Sequence, residues 1–183
     1  MLGERFLALR RSVGEFQRRL ARSPHVVTAF LELDDPFDRV EAALLADPST
    51  WVPGMARAAG ELGERLLTEV GFAVDEDRRM DKEVEILFGE PYRSASATRL
   101  PMTWKATGAQ RLFPLLEADL EVAGLGATRT QLSISARYRP PMGPLGRVLD
   151  RALLHRVAEA AIKDFLDRVG AGIARRVQAT ADR

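Results

Sequence analysis

Residues 138 to 159 read YRPPMGPLGRVLDRALLHRVAE, and within this stretch the chain changes its hydrophobic period. Before it, from Glu64 to Tyr138, apolar and polar residues alternate through several extended runs. After it, apolar residues recur every third or fourth position. A period of two puts successive side chains on opposite faces of a strand, whereas a period near 3.6 keeps them on one face of a helix. The prolines and glycines from Pro140 to Gly146 make the turn between the two regimes. A sheet followed by one long closing helix is an arrangement able to enclose an apolar cavity.

Upstream of the junction the alternation is read as strands. His25 to Leu33 forms the first. Leu66, Thr68, Val70, Phe72 and Val74 share a face in the second, and Asp75 to Arg78 turn into Val84, Ile86 and Phe88. Three further runs are Thr98, Leu100, Met102, Trp104 and Ala106; Leu116, Ala118, Leu120 and Val122; and Leu132, Ile134, Ala136 and Tyr138. The expected sheet has six main strands. Gly124-Leu125-Gly126 suits a tight hairpin turn, and Pro101, which cannot donate to a ladder, calls for a bulge or an edge position. The opposite faces carry Arg65, Glu69, Glu83, Glu85, Arg99, Lys105, Glu117, Asp119, Glu121, Arg129 and Arg137. Mixed charges on neighbouring strands read as cross-strand pairs on a solvated face rather than as a catalytic carboxylate set, which needs burial to separate its pKa values.

The helical segments flank this sheet. Asp34-Asp35-Pro36 offers N-cap character and a proline for a first turn, with Phe37, Val40, Ala43 and Leu44 following at helical spacing. A second short helix or turn is expected from Asp47-Pro48 to just before Pro53-Gly54, and residues 54 to 63 read equally as loop or short helix. Downstream, a helix is expected from Gly146 or Arg147 to about Val177. Leu154, Ala158, Ala161, Ile162, Phe165, Val169 and Ile173 form one stripe of it, and Leu149, Leu153, Val157 and Ala160 a second. Gly170 and Gly172 predict fraying or bending near its end.

At the other terminus Leu2, Phe6, Leu9, Val13, Phe16 and Leu20 mark an amphipathic helix ended by Ser23-Pro24. Six Arg against two Glu give residues 1 to 24 a charge of +4 within a chain whose net charge is only +1. The ordinary reading is that this stripe packs on its own domain. The alternatives are an arm for homodimerisation or for peripheral contact with a membrane surface.

Composition bounds the rest. With 183 residues, 46% apolar and 29% charged, the chain suits one domain with a sizeable core. The near-zero charge argues against nucleic acid as a partner, and the absence of Cys removes disulfides and thiolate ligands. No apolar run approaches a membrane span and no secretory h-region is evident, so a cytoplasmic protein without integral membrane association is expected.

The order strand, two short helices, antiparallel strands and long C-terminal helix, joined by the junction from Tyr138 to Glu159, resembles the START-like superfamily. This superfamily is also called the helix-grip or SRPBCC fold, and the junction looks most like its polyketide cyclase/dehydrase and lipid-transport branch. The resemblance covers roughly residues 25 to 175. It implies an α+β helix-grip fold: a curved antiparallel sheet of about six strands wrapped on the C-terminal helix, with two short helices after the first strand and an extra N-terminal helix. Residues 1 to 24 then form a basic helix and residues 25 to 178 the ligand-binding domain. A cavity between sheet and helix would be walled by Phe72, Ile86, Phe88, Leu100, Met102, Trp104, Leu120, Ile134, Tyr138, Leu153, Val157 and Ala161. An ordinary filled core is the competing reading of the same residues.

The chemistry is sparse. Neither His25 nor His155 has an acidic or His neighbour at a metal-ligand spacing, so no metal and no cofactor are expected. His155 could donate into the cavity, but a histidine on a helix surface is the simpler reading. Nucleophile-elbow, P-loop and dinucleotide fingerprints are lacking. Three functions stay open: a carrier of a hydrophobic small molecule such as a lipid or polyketide-like aromatic, a cyclase or dehydratase-like enzyme using Tyr138, Arg99 or Glu85, and an interaction module acting through residues 2 to 20.

Overall fold

The computed structural model describes residues 25–69, 84–106, 116–138 and 151–181. The N-terminal stripe, the turn from Asp75 to Arg78 and the junction of residues 139 to 150 lie outside them. Strand β1 (His25–Leu33) alternates as its sequence demands: Val27 and Leu33 are buried on the inner face while Val26, Thr28, Phe30 and Glu32 are exposed. Helix α1 (Phe37–Leu45) buries Val40, Ala43 and Leu44. The expected aspartate cap is not used. Pro36 occupies the N-cap position without a side-chain cap bond, and its carbonyl accepts from the amides of Arg39 and Val40 at 3.2 and 3.1 Å. Asp38 in the first turn still places negative charge at the positive end of the helix.

A short 3-10 turn (Pro48–Thr50) then leads into helix α2 (Val52–Glu69), 18 residues long. This corrects two expectations. The 3-10 turn is the short element expected after Asp47-Pro48, but the segment from residue 54 is a long helix rather than a loop or short helix, and Leu66 and Thr68 belong to it rather than to a strand. Val70, Phe72 and Val74 lie outside the described residues. The spacing of Val52, Ala56 and Ala59, all fully buried, supplies a helical stripe that outweighs the low propensity of Gly54 and Gly60. Pro53 is tolerated because the first turn leaves its N–H position unbonded in any case.

The sheet comprises β1, β2 (Val84–Phe88), β3 (Tyr92–Arg93), β4 (Ala97–Ala106), β5 (Leu116–Gly124) and β6 (Thr130–Tyr138). Its order is β1-β6-β5-β4-β2, antiparallel throughout, with β3 pairing further along β4. The sixth strand among the described residues is thus the two-residue β3, not the run containing Leu66. Phe88 pairs with Met102 and Tyr92 with Arg99, so four steps on the outer strand face three on β4. That extra residue is a bulge beside Pro101, whose carbonyl accepts from the Gly89 amide at 2.9 Å. A residue's N and C=O point to the same side of a strand, so the missing N–H of Pro101 faces the bulge rather than the continuous β5 ladder.

Between β5 and β6 the loop spans residues 125 to 129, longer than the tight turn expected, and is closed by a 2.8 Å bond from the Leu125 amide to the Arg129 carbonyl. Gly126 takes φ 100° there, a conformation that favours glycine.

The described part of helix α3 runs from Arg151 to Ala181. Ile162, Phe165, Leu166, Val169, Ile173 and Val177 form its buried stripe against Leu100, Met102, Ala118, Leu120, Val122, Leu132, Ile134 and Ala136 of the sheet. Each fully buried large side chain of this set stabilises the fold by roughly 1.5 to 3 kcal/mol. The helix does not end or fray at its glycines but continues regularly past Val177. Packing explains why: a Cβ on Gly170 would sit 3.0 Å from Leu31 Cδ2, and one on Gly172 2.7 Å from Met55 Cε. Absence of side chains there lets α3 lie close to β1 and α2.

Candidate functional site

The registers fix which residues share an end of the sheet. His25 pairs with Tyr138, Tyr138 with Leu116, and Val84 with Ala106, so these five positions mark one end. Helix α3 lies against β1 and α2 and stands further from β4 and β5. Two large rings bridge that wider space: Trp104 of β4 and Phe165 of α3, both buried, with centroids 5.6 Å apart and planes tilted by 54°.

Around these rings the inner face is apolar. Leu100, Met102, Trp104, Leu120 and Ile134 are buried on the sheet, and Val157 and Ala161 on α3. Ile86, Phe88 and Leu153 are half-buried, as are Leu116 and Leu154. Tyr138 is placed by register between His25 and Leu116. Phe72 lies outside the described residues.

The polar part of this end comes from the chain's two histidines. His25 opens β1 on the same face as Val27, and His155 lies in the second turn of the described α3. Their rings come within 6.3 Å, centroid to centroid, at 46°. Glu159, one helical turn on, places Oε1 3.2 Å from His155 Nε2. His155 Nδ1 is buried with no hydrogen-bond partner, a condition shared among the described residues by Trp51 Nε1. His155 is a histidine of the helix surface, as expected, its side chain 40% exposed, but sequence reasoning did not join it to His25. The inward parity of His25 along β1 was the available signal, but only packing brings the rings together.

The charged outer face behaves as its alternation indicates. Arg99 pairs with its cross-strand partner Glu121 at 2.8 Å, and Arg129 with Glu32 at 2.9 Å. Arg65 and Glu69, expected on that face, are instead exposed positions of α2. A groove of about 390 Å³ on the outer face, lined by Leu87, Pro101, Thr103, Glu117, Asp119 and Arg137 among others, is open and charged. Neither property suits an apolar guest.

One ionic cluster was missed by sequence reasoning because its members lie far apart in the chain. Arg93 of β3 donates two bonds of 2.8 Å to the carboxylate of Glu41 on α1, and the buried Thr98 hydroxyl donates to Glu41 Oε1. The Arg93 hydrogen bonds, against desolvation and with help from Thr98, hold the Glu41 carboxyl below its ordinary value. This clamp ties α1 to β3 and β4 at the sheet's other end. Among the described residues no cluster of three or more His, Cys, Asp or Glu could hold a metal ion, and no helix is long and apolar enough to cross a membrane.

An antiparallel sheet whose inner face is covered by one long C-terminal helix, with helices inserted after the first strand, decides the architecture. This is the helix-grip fold. It is the fold that the resemblance to the START-like superfamily implied. No family model matches the chain, and no curated protein does. Among solved structures, a conserved protein from Geobacillus kaustophilus matches at 15% identity over 82% of this chain and 96% of its own, with a TM-score of 0.45. A START superfamily protein from Mycobacterium smegmatis matches at 12% identity over 85% and 99%, with a TM-score of 0.45. An aromatase/cyclase from a Streptomyces species matches at 15% identity over 87% and 94%, with a TM-score of 0.38. Helix grips serve many activities, so function has to be read from this chain's own residues.

Proposed function

We propose that the protein binds a hydrophobic small molecule, a lipid or a polyketide-like aromatic, between the inner face of the sheet and the first turns of α3. The observation that carries this reading is the apolar inner face on which half-buried Ile86 and Leu116 stand opposite Trp104 in register, where α3 stands away from β4 and β5. Apolar surface left partly in contact with water gains free energy when a guest covers it, by about 25 cal/mol per Å². A carrier needs that surface and an opening, and no nucleophile. The enzyme alternative is weakened by Arg99, which is engaged with Glu121 on the outer face and so cannot polarise a carbonyl inside.

Native mass spectrometry of the purified protein, repeated after solvent extraction and after adding a fatty alcohol or a naphthalene derivative, tests the reading. The expected result is one hydrophobic molecule per chain, either co-purified or taken up from the added probes. Failure of the extracted protein to retain any of these probes would overturn it.

A further inference from the structure

The two edges of the sheet are built unlike each other. At one, the bulge beside Pro101 divides the outer strand into β2 and β3, five and two residues long, and short or bulged edges are a means by which sheets avoid pairing with other chains. At the other, β1 runs for nine residues in unbroken register with β6, from His25 opposite Tyr138 to Leu33 opposite Thr130. Among the described residues no strand lies beyond it. Residues 25 to 31, HVVTAFL, contain no Pro, Lys, Arg, Asp or Glu, the residues that commonly blunt an edge. On the outer face of this strand Val26 is 52% and Phe30 67% exposed, with Thr28 exposed between them.

We infer that β1 is a dimerisation edge, on which β1 of a second copy of this chain pairs antiparallel about a two-fold axis that passes through Thr28 perpendicular to the sheet. Self-complementarity selects both the partner and the register. Outer-face residues must meet outer-face residues, because a slip of one position would turn apolar side chains to the wrong face. Of the registers that satisfy this, the one centred on Thr28 sets Val26 against the partner's Phe30 and Phe30 against the partner's Val26, while Thr28 meets its own counterpart. Centring on Val27 or Ala29 loses the apolar match, since Val26 then faces Thr28 or the charged Glu32. Aromatic residues against β-branched ones, and Thr against Thr, are stabilising cross-strand pairs. Glu32, whose carboxylate binds Arg129 at 2.9 Å, lies beyond the paired residues 25 to 31, so no like charges meet across the axis. The main-chain groups that β1 directs away from β6 gain hydrogen-bond partners in the same step.

Sedimentation equilibrium of the full chain from about 1 to 200 μM tests the inference, and should show the reversible monomer–dimer association expected of a small interface. Phe30→Lys changes an exposed side chain, so it should leave the urea midpoint of the dilute monomer in place while weakening the dimer at least about tenfold, the apolar pair being lost twice across the axis. The register is read with thiols, since the chain has no Cys. Thr28→Cys should oxidise readily to a covalent dimer. Val26→Cys should not, because its two copies would stand roughly 14 Å apart, beyond the reach of a disulfide. A wild-type chain that stays monomeric at the top of the concentration range, a dimer unweakened by Phe30→Lys, or cross-linking as ready at position 26 as at position 28 overturns the inference.

Discussion

The two ends of the sheet are built differently. At the end capped by α1 and the loop of residues 125 to 129, Leu33, Leu44, Val122, Leu132, Ile173 and Val177 are all buried in one continuous core. Polar bonds reinforce it: Thr130 donates to the Asp35 carbonyl at 2.8 Å, and Glu41 binds Arg93 and Thr98. At the opposite end, where β1 begins and β6 finishes, Ile86, Leu116, Leu153 and Leu154 are half-buried and His155 keeps an unsatisfied nitrogen. One end spends its side chains on stability. The other, on the reading proposed above, holds the binding site, which is how a small fold can carry one without forfeiting its core.

The largest expected effect separates the ends directly. Leu132→Ala removes a fully buried side chain from the packed end and should destabilise the protein by about 2 to 5 kcal/mol, whereas Leu153→Ala, at a half-buried position of the opposite end, should cost under about 1 kcal/mol. Urea unfolding measures both, and equal losses would erase the distinction.

Next in size is the clamp. Glu41→Ala strips the acceptor from Arg93 and from the buried Thr98 hydroxyl, for an expected loss of about 2 kcal/mol in the same assay. Because the folded-state pKa of Glu41 is lowered, its contribution is fully present above the ordinary glutamate range and is lost as pH falls through the lowered value. The gap between wild type and variant should therefore narrow in acid. A gap that is independent of pH would assign the loss to packing alone.

Smaller still is Gly170→Ala. Removing a helical glycine gains up to about 1 kcal/mol, but the new Cβ meets the Leu31 methyls at 3.0 and 3.1 Å, so the two effects should nearly cancel. Thermal unfolding with a raised midpoint would show that Leu31 yields easily and that α3 is not held tightly on β1.

Much of this architecture was legible in the sequence. The inward positions of β1, β4, β5 and β6 follow from strict alternation, and the bulge at Pro101 from a missing donor. Helix α2 was misread for a physical reason: Leu66 and Thr68 keep a period of two over a short window, while the deciding stripe of Val52, Ala56 and Ala59 begins across a Pro-Gly pair that looks like a break. The Glu41 clamp and the histidine pair were invisible for another reason. Their partners are distant in sequence, and only the sheet register and the docking of α3 make them neighbours.

Hydrogen–deuterium exchange with and without a saturating hydrophobic probe tests the central claim most directly. The account predicts added protection at the start of β5 and in the first described turns of α3, around residues 116 to 118 and 151 to 158, with no change in α1 or the loop of residues 125 to 129. Protection gained at the α1 end instead, or spread evenly over both ends, would contradict it.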